Sequence, residues 1–181
     1  MRDSLDPILI EAMEVLTAKV RRASHSGNVI RFGDEWPGTE DEFLRLTQTQ
    51  TAKGFEDIRL VRDSGDTYLY SERHMTHSYA ETAARARCED IQHVIAETVR
   101  HDSLTYPRPT PAAVFTESPF LLSRQALTTA IETISRDAKY ADIRLLRASD
   151  GSLFLFSSAH LDPAHAESLA EWIAVGHLEN P

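Results

Sequence analysis

Asp57-Ile58-Arg59-Leu60-Val61-Arg62-Asp63-Ser64-Gly65 returns, one residue longer, as Asp142-Ile143-Arg144-Leu145-Leu146-Arg147-Ala148-Ser149-Asp150-Gly151. The echo continues downstream. Leu69-Tyr70-Ser71 matches Leu155-Phe156-Ser157, His74 matches His160, and Ala80-Glu81 matches Ala166-Glu167. Each copy alternates apolar and polar residues, breaks at a Gly-containing turn, and alternates again, which is the pattern of a β-hairpin. Repetition at this scale predicts a fold built from two equivalent halves.

Elements placed around the hairpins complete each half. Asp6-Pro7 offers a capping carboxylate with proline at the first helical position, and Ile10, Met13, Leu16 and Val20 give one apolar stripe. Asn28 to Phe32 reads as a short strand. Thr39-Glu40-Asp41-Glu42 has the form of a capping box, so a second helix should run to about Ala52. Thr76 can cap a third, with Ala80, Ala83 and Ala84 on its tight face, ending near Arg87–Asp90. Ile91, Val94, Ile95 and Val99 then start a new stripe.

The segment 101–111 reads as a linker because Pro107, Pro109 and Pro111 keep it extended. Beyond it Ala112–Phe115 takes the place of the first short strand, and Ser123 caps a helix carrying Leu127, Ala130, Ile131 and Ile134. The hairpin 141–148/152–158 follows. Asp162-Pro163 opens the last helix, whose buried face should be Leu169, Trp172 and Ile173. The expected fold is α+β: helix–strand–helix–strand–strand–helix, twice, over a mainly antiparallel sheet. One domain over 1–181 is expected, with copies at 1–88 and 89–181.

Composition narrows the function. The 181 residues carry a formal charge of −9 with only three lysines, which disfavours nucleic acid. One cysteine, Cys88, leaves no intrachain disulfide, and the start lacks the apolar core of a secretory signal. No stretch has the roughly 18 apolar residues of a membrane span, so membrane insertion is not expected and a cytoplasmic location is.

No Gly-x-Ser-x-Gly elbow, P-loop or dinucleotide fingerprint is present, and no catalytic residue, metal or cofactor is assigned. His74-x-x-His77 has ligand-like spacing, but Thr76 intervenes as a cap and Pro163 stands at the place of His77 in the second copy. His74 and His160 remain candidates as a repeated titratable pair beside the hairpins.

Alternation puts Ile58, Leu60, Ile143 and Leu145 toward a helix-covered core. Arg59 and Arg144 point the other way, and Tyr68, Tyr70, Phe154 and Phe156 can share their face. Two readings stand. The arginine–aromatic face meets a protein partner, a second copy or an amphipathic small molecule. Otherwise the aromatics form a second core layer over which the arginines lie.

The strand–helix–strand–strand order, occurring twice, is similar to the duplicated module of GyrI-like effector-binding domains. That likeness implies a cleft between the copies for an amphipathic ligand. A second resemblance rests on residues. His101-Asp102-Ser103-Leu104-Thr105-Tyr106-Pro107-Arg108-Pro109-Thr110-Pro111, the Asp142–Ser157 hairpin and Ala166-Glu167-Ser168-Leu169-Ala170-Glu171-Trp172 resemble the bacterial YdhW-type proteins. It implies a non-catalytic accessory protein of an oxidoreductase system, acting beside redox subunits. One cysteine cannot ligate an iron–sulfur cluster, which needs about four thiolates.

Overall fold

The computed structural model describes residues 7–48 and 54–176, with side chains from Glu11 onward and not that of Gln48. The chain divides into two compact units, Met1–Arg87 and Cys88–Pro181.

In the first unit, α1 (Pro7–His25), β1 (Ile30–Arg31), α2 (Phe32–Glu35) and α3 (Glu40–Gln48) precede the hairpin β2 (Ile58–Asp63) and β3 (Asp66–Ser71), and α4 (His77–Arg85) closes it. The second unit runs in the same order. It has α5 (Ile91–Thr105), β4 (Thr110–Pro111), a 3-10 helix (Ala112–Thr116), α6 (Arg124–Arg136), β5 (Ile143–Arg147), β6 (Leu153–Ser157) and α7 (Pro163–Glu171). Each unit holds its own antiparallel three-stranded sheet, ordered β1-β3-β2 and β4-β6-β5.

The central strand explains the aromatic pattern. β3 is hydrogen-bonded on both edges and covered on both faces, so Tyr68, Leu69, Tyr70 and Ser71 are all buried. Leu69 joins Met13, Leu16 and Val20 of α1 with Phe32, Trp36 and Phe43, while Tyr68 and Tyr70 lie against Ala80, Ala83 and Ala84 of α4. Alanines at these positions let the helix approach the rings closely. In β6, Phe156 likewise packs with Ala166, and Phe154 with Ala170. The expected second core layer therefore exists inside each unit.

Capping chemistry fixes the helix starts. Thr39 and Glu42 exchange bonds, the Thr39 N–H reaching Glu42 Oε2 at 2.8 Å and the Glu42 N–H reaching Thr39 Oγ1 at 3.3 Å. Thr76, Asp90, Ser123 and Asp162 each accept backbone N–H groups of the turn that follows. Asp6 and the expected end of α3 near Ala52 lie outside the described residues.

Several local expectations are corrected. The short strand is only Ile30–Arg31, because Phe32 already turns into α2. Its counterpart is Thr110–Pro111 rather than Ala112–Phe115, which is a 3-10 helix. Pro111 is tolerated there because β4 is an edge strand. The segment 101–111 is not all linker, since α5 continues to Thr105. Leu145 is 48% exposed, as its edge strand has a neighbour on one side only. Trp172 is 68% exposed and the buried stripe of α7 is Ala166 and Ala170, because the helix approaches the sheet on its small residues.

Candidate functional site

Each unit ties its hairpin to its first helix through the same polar group. In the first, Asp57 stands one residue before β2 and is 4% exposed. Arg21 of α1 grips both of its oxygens, through Nε at 3.1 Å and through a guanidinium NH2. Ser71 Oγ donates to Asp57 Oδ2 at 2.5 Å, and the Ser71 N–H donates to Ser24 Oγ at 2.9 Å.

The second unit repeats this bond for bond. Arg100 holds Asp142 at 2.9 and 2.5 Å, Ser157 Oγ donates to Asp142 Oδ2 at 2.7 Å, and the Ser157 N–H donates to Ser103 Oγ at 3.0 Å. Burial alone would push Asp57 up, but the bonds from Arg21 and Ser71 outweigh it and hold the carboxyl at about 2. For Asp142 the Arg100 hydrogen bond dominates, against burial and with help from Ser157, again to about 2.

These carboxylates have their lone pairs occupied by structural donors, which suits a clamp better than proton transfer. The hairpin repeat shows that Asp57 and Asp142 recur, but not which side chains they meet. The missed signal was Arg-x-x-Ser, present once in each helix as Arg21–Ser24 and Arg100–Ser103.

The expected arginine–aromatic residues separate. Tyr68, Tyr70, Phe154 and Phe156 are between 2% and 5% exposed, sealed under α4 or α7. Burial raises the phenol pKa of both tyrosines, and Tyr70 Oη lies 3.0 Å from His77 Nδ1. Arg59 and Arg144 do share the aromatics' face, opposite Tyr70 and Phe156, but both are exposed. Arg59 is occupied by Glu72 at 2.7 Å and by the Glu56 carbonyl at 2.6 Å.

His74 and His160 are exposed, and it is their backbone N–H groups that close the strand-to-helix turn, on the carbonyls of Ser71 and Ser157 at 3.0 and 3.1 Å. The His74 ring stands edge-on to His25, 5.4 Å between centroids, beside a hollow of about 350 Å³. Among the described residues no cluster of three or more metal-ligating side chains occurs.

A larger cavity, about 750 Å³, opens in the second unit. It is lined by Pro111, Ala112 and Thr116, by Arg124 and Leu127 of α6, and by Leu153 and Phe154 of β6. Asp150 also borders it, its carboxylate taking the N–H and hydroxyl of Ser152 at 2.8 and 2.7 Å. Phe154 is the one residue of the expected face that lines this space. No motif announces it.

Among the described residues no helix is long and apolar enough to cross a membrane. No solved structure matches the chain significantly. Residues 89–178 match the family model of the YdhW C-terminal domain. Over its whole length the chain is 29% identical to the uncharacterized protein YdhW of Escherichia coli (strain K12), and covers 87% of that relative. The chain is therefore similar to YdhW from end to end, and its second unit, cavity included, is the part that matches the YdhW C-terminal domain.

Proposed function

We propose that this chain is a non-catalytic accessory protein that works by binding, with its binding element in the second unit. The cavity of about 750 Å³ carries this reading. Its size falls within the range of small-molecule sites, roughly 300–1,000 Å³, and its wall is mainly apolar with a few charged groups at the rim. A cytoplasmic place beside a bacterial oxidoreductase system is part of the same proposal, and rests on the YdhW-type resemblance alone.

The test is native mass spectrometry of the full chain as purified from cells, set against its denatured mass. Extra mass that disappears on denaturation, and that is absent from a Leu127→Trp variant, is the expected result. An unchanged mass in the wild type, with no loss of any partner in the variant, would overturn the reading.

A protein partner or a second copy is the second reading. Five of the six large apolar side chains exposed among the described residues lie in the second unit: Leu104, Tyr106, Leu121, Leu145 and Trp172. Light scattering of wild type beside Trp172→Asp and Leu121→Asp would separate it from the first. A dimer lost in either variant supports it; a monomer throughout removes the second copy.

A further inference from the structure

The two units differ where the cavity lies. Ile30 and Thr110 pair with Leu69 and Leu155 of the central strands, so the residues that follow are in register. Counted onward from there, Phe32 at the start of α2 falls at the place of Ala112 at the start of the 3-10 helix, and Trp36 at that of Thr116. The helices α3 and α6 are aligned by their caps, Thr39 and Ser123, so that Phe43 matches Leu127.

In the first unit those three rings form one cluster. Phe32 and Trp36 both stand edge-on to Phe43, with centroids 5.5 and 5.7 Å away. Their counterparts Ala112, Thr116 and Leu127 are smaller and line the cavity. The second unit has an aromatic pair of its own, Phe115 and Phe120, 5.0 Å apart, and neither lines that space.

The charges change in the same place. Glu40 opens α3 and accepts from Arg62 at 2.5 Å and from the Thr67 hydroxyl. Its counterpart at the start of α6 is Arg124, and the counterparts of Arg62 and Thr67 are Arg147 and Leu153. Leu153 and Arg124 both line the cavity, and Arg147 reaches its rim through the Gly151 carbonyl at 3.4 Å. Among the described residues no carboxylate lies within ion-pair distance of Arg124 or Arg147. The second unit has thus kept the cation of the pair, added another, and lost the carboxylate and the rings.

Resting on the reading of the second unit as the binding unit, we infer that the cavity takes an amphipathic organic carboxylate. The ligand's carboxylate replaces Glu40 and sits on the Arg124 guanidinium, where a charge-assisted, two-pronged bond is available. Its apolar part occupies the volume that Phe32, Trp36 and Phe43 fill in the first unit, along Ala112, Leu127 and Phe154. Asp150 disfavours an anion on its own side, which confines the carboxylate to the Arg124 side.

Calorimetric titration of the full chain with octanoate and 3-phenylpropionate tests this, with octanamide and octylamine as neutral and cationic probes. At least one acid should bind at least tenfold tighter than octanamide. Arg124→Glu should weaken it at least tenfold, with the circular dichroism spectrum unchanged; Arg124→Gln serves if the first variant misfolds. Equal binding of acid and amide, tighter binding of the amine, or full affinity in the Arg124 variants would overturn the carboxylate assignment and leave the cavity as a binding site. No binding by any of the four, together with a clean native mass, would remove both.

Discussion

The two units share a backbone plan and the same carboxylate clamp, yet a cavity of about 750 Å³ opens in the second at the place where the first packs three rings. Where the first carries Phe32, Trp36, Phe43 and Glu40, the second carries Ala112, Thr116, Leu127 and Arg124, beside a cavity of about 750 Å³. The clamp is repeated bond for bond because it fixes the hairpin to the helix, and any unit of this plan needs that. The wall of the cavity is free to change because nothing in the plan depends on it. Within one chain, the conserved geometry marks folding and the altered geometry marks the candidate for binding.

The largest expected effect strikes the shared part. Asp57→Ala should cost about 3 kcal/mol in urea unfolding, since it removes the buried acceptor of the two-pronged Arg21 bond and of the Ser71 hydroxyl. If the clamp is a mere decoration, the midpoint will barely move.

Acid should attack both clamps together. A carboxyl held at about 2 in the folded chain, against roughly 3.9 when unfolded, contributes about 2.5 kcal/mol. The folded pKa is depressed, so that stability is fully present above about pH 4 and is lost as pH falls toward 2. Unfolding monitored across that window should steepen there. The double variant Asp57→Asn/Asp142→Asn should flatten the dependence; an unchanged slope would count against the clamps.

Asp142→Ala should be milder than Asp57→Ala, at about 2 kcal/mol, because the Asp142 side chain is 21% exposed against 5% for Asp57. Equal costs would show that solvent access does not separate the two units. A smaller effect is expected from making the second unit resemble the first. Leu127→Phe should raise stability by about 1 kcal/mol through cavity filling and weaken any acid bound there. Destabilisation instead would mean that the wall is already well packed. Smallest of all, Arg59→Ala should change stability by under about 0.5 kcal/mol, as its Glu72 pair is exposed.

The hairpins were legible because their signal is local: alternation, a turn with Gly65 or Gly151 at φ of 87° or 90°, and a second alternation. Helix starts were legible for the same reason, since a cap and its N–H groups lie within four residues. The first short strand and its counterpart were misplaced because two-residue strands exist only through pairing with β3 or β6. Leu169, Trp172 and Ile173 read as the buried face of the last helix, while the helix approaches on Ala166 and Ala170 and leaves Trp172 exposed. Of the candidate face, pattern correctly grouped Tyr70 with Arg59 and Phe156 with Arg144 across the strands. It could not reveal that α4 and α7 lie over the rings.

Sequence alone, then, determined an α+β chain with two hairpins, capped helices and central strands rich in aromatics, because backbone preference and period-two burial act over a few residues. Only the tertiary structure decided that each central strand is covered on both faces. It alone joined Arg21 to Asp57 and Arg100 to Asp142 across 36 and 42 residues, and it alone left a cavity beside Arg124. Those features depend on which side chains meet after the chain has folded, and no local pattern encodes the volume that distant residues fail to fill.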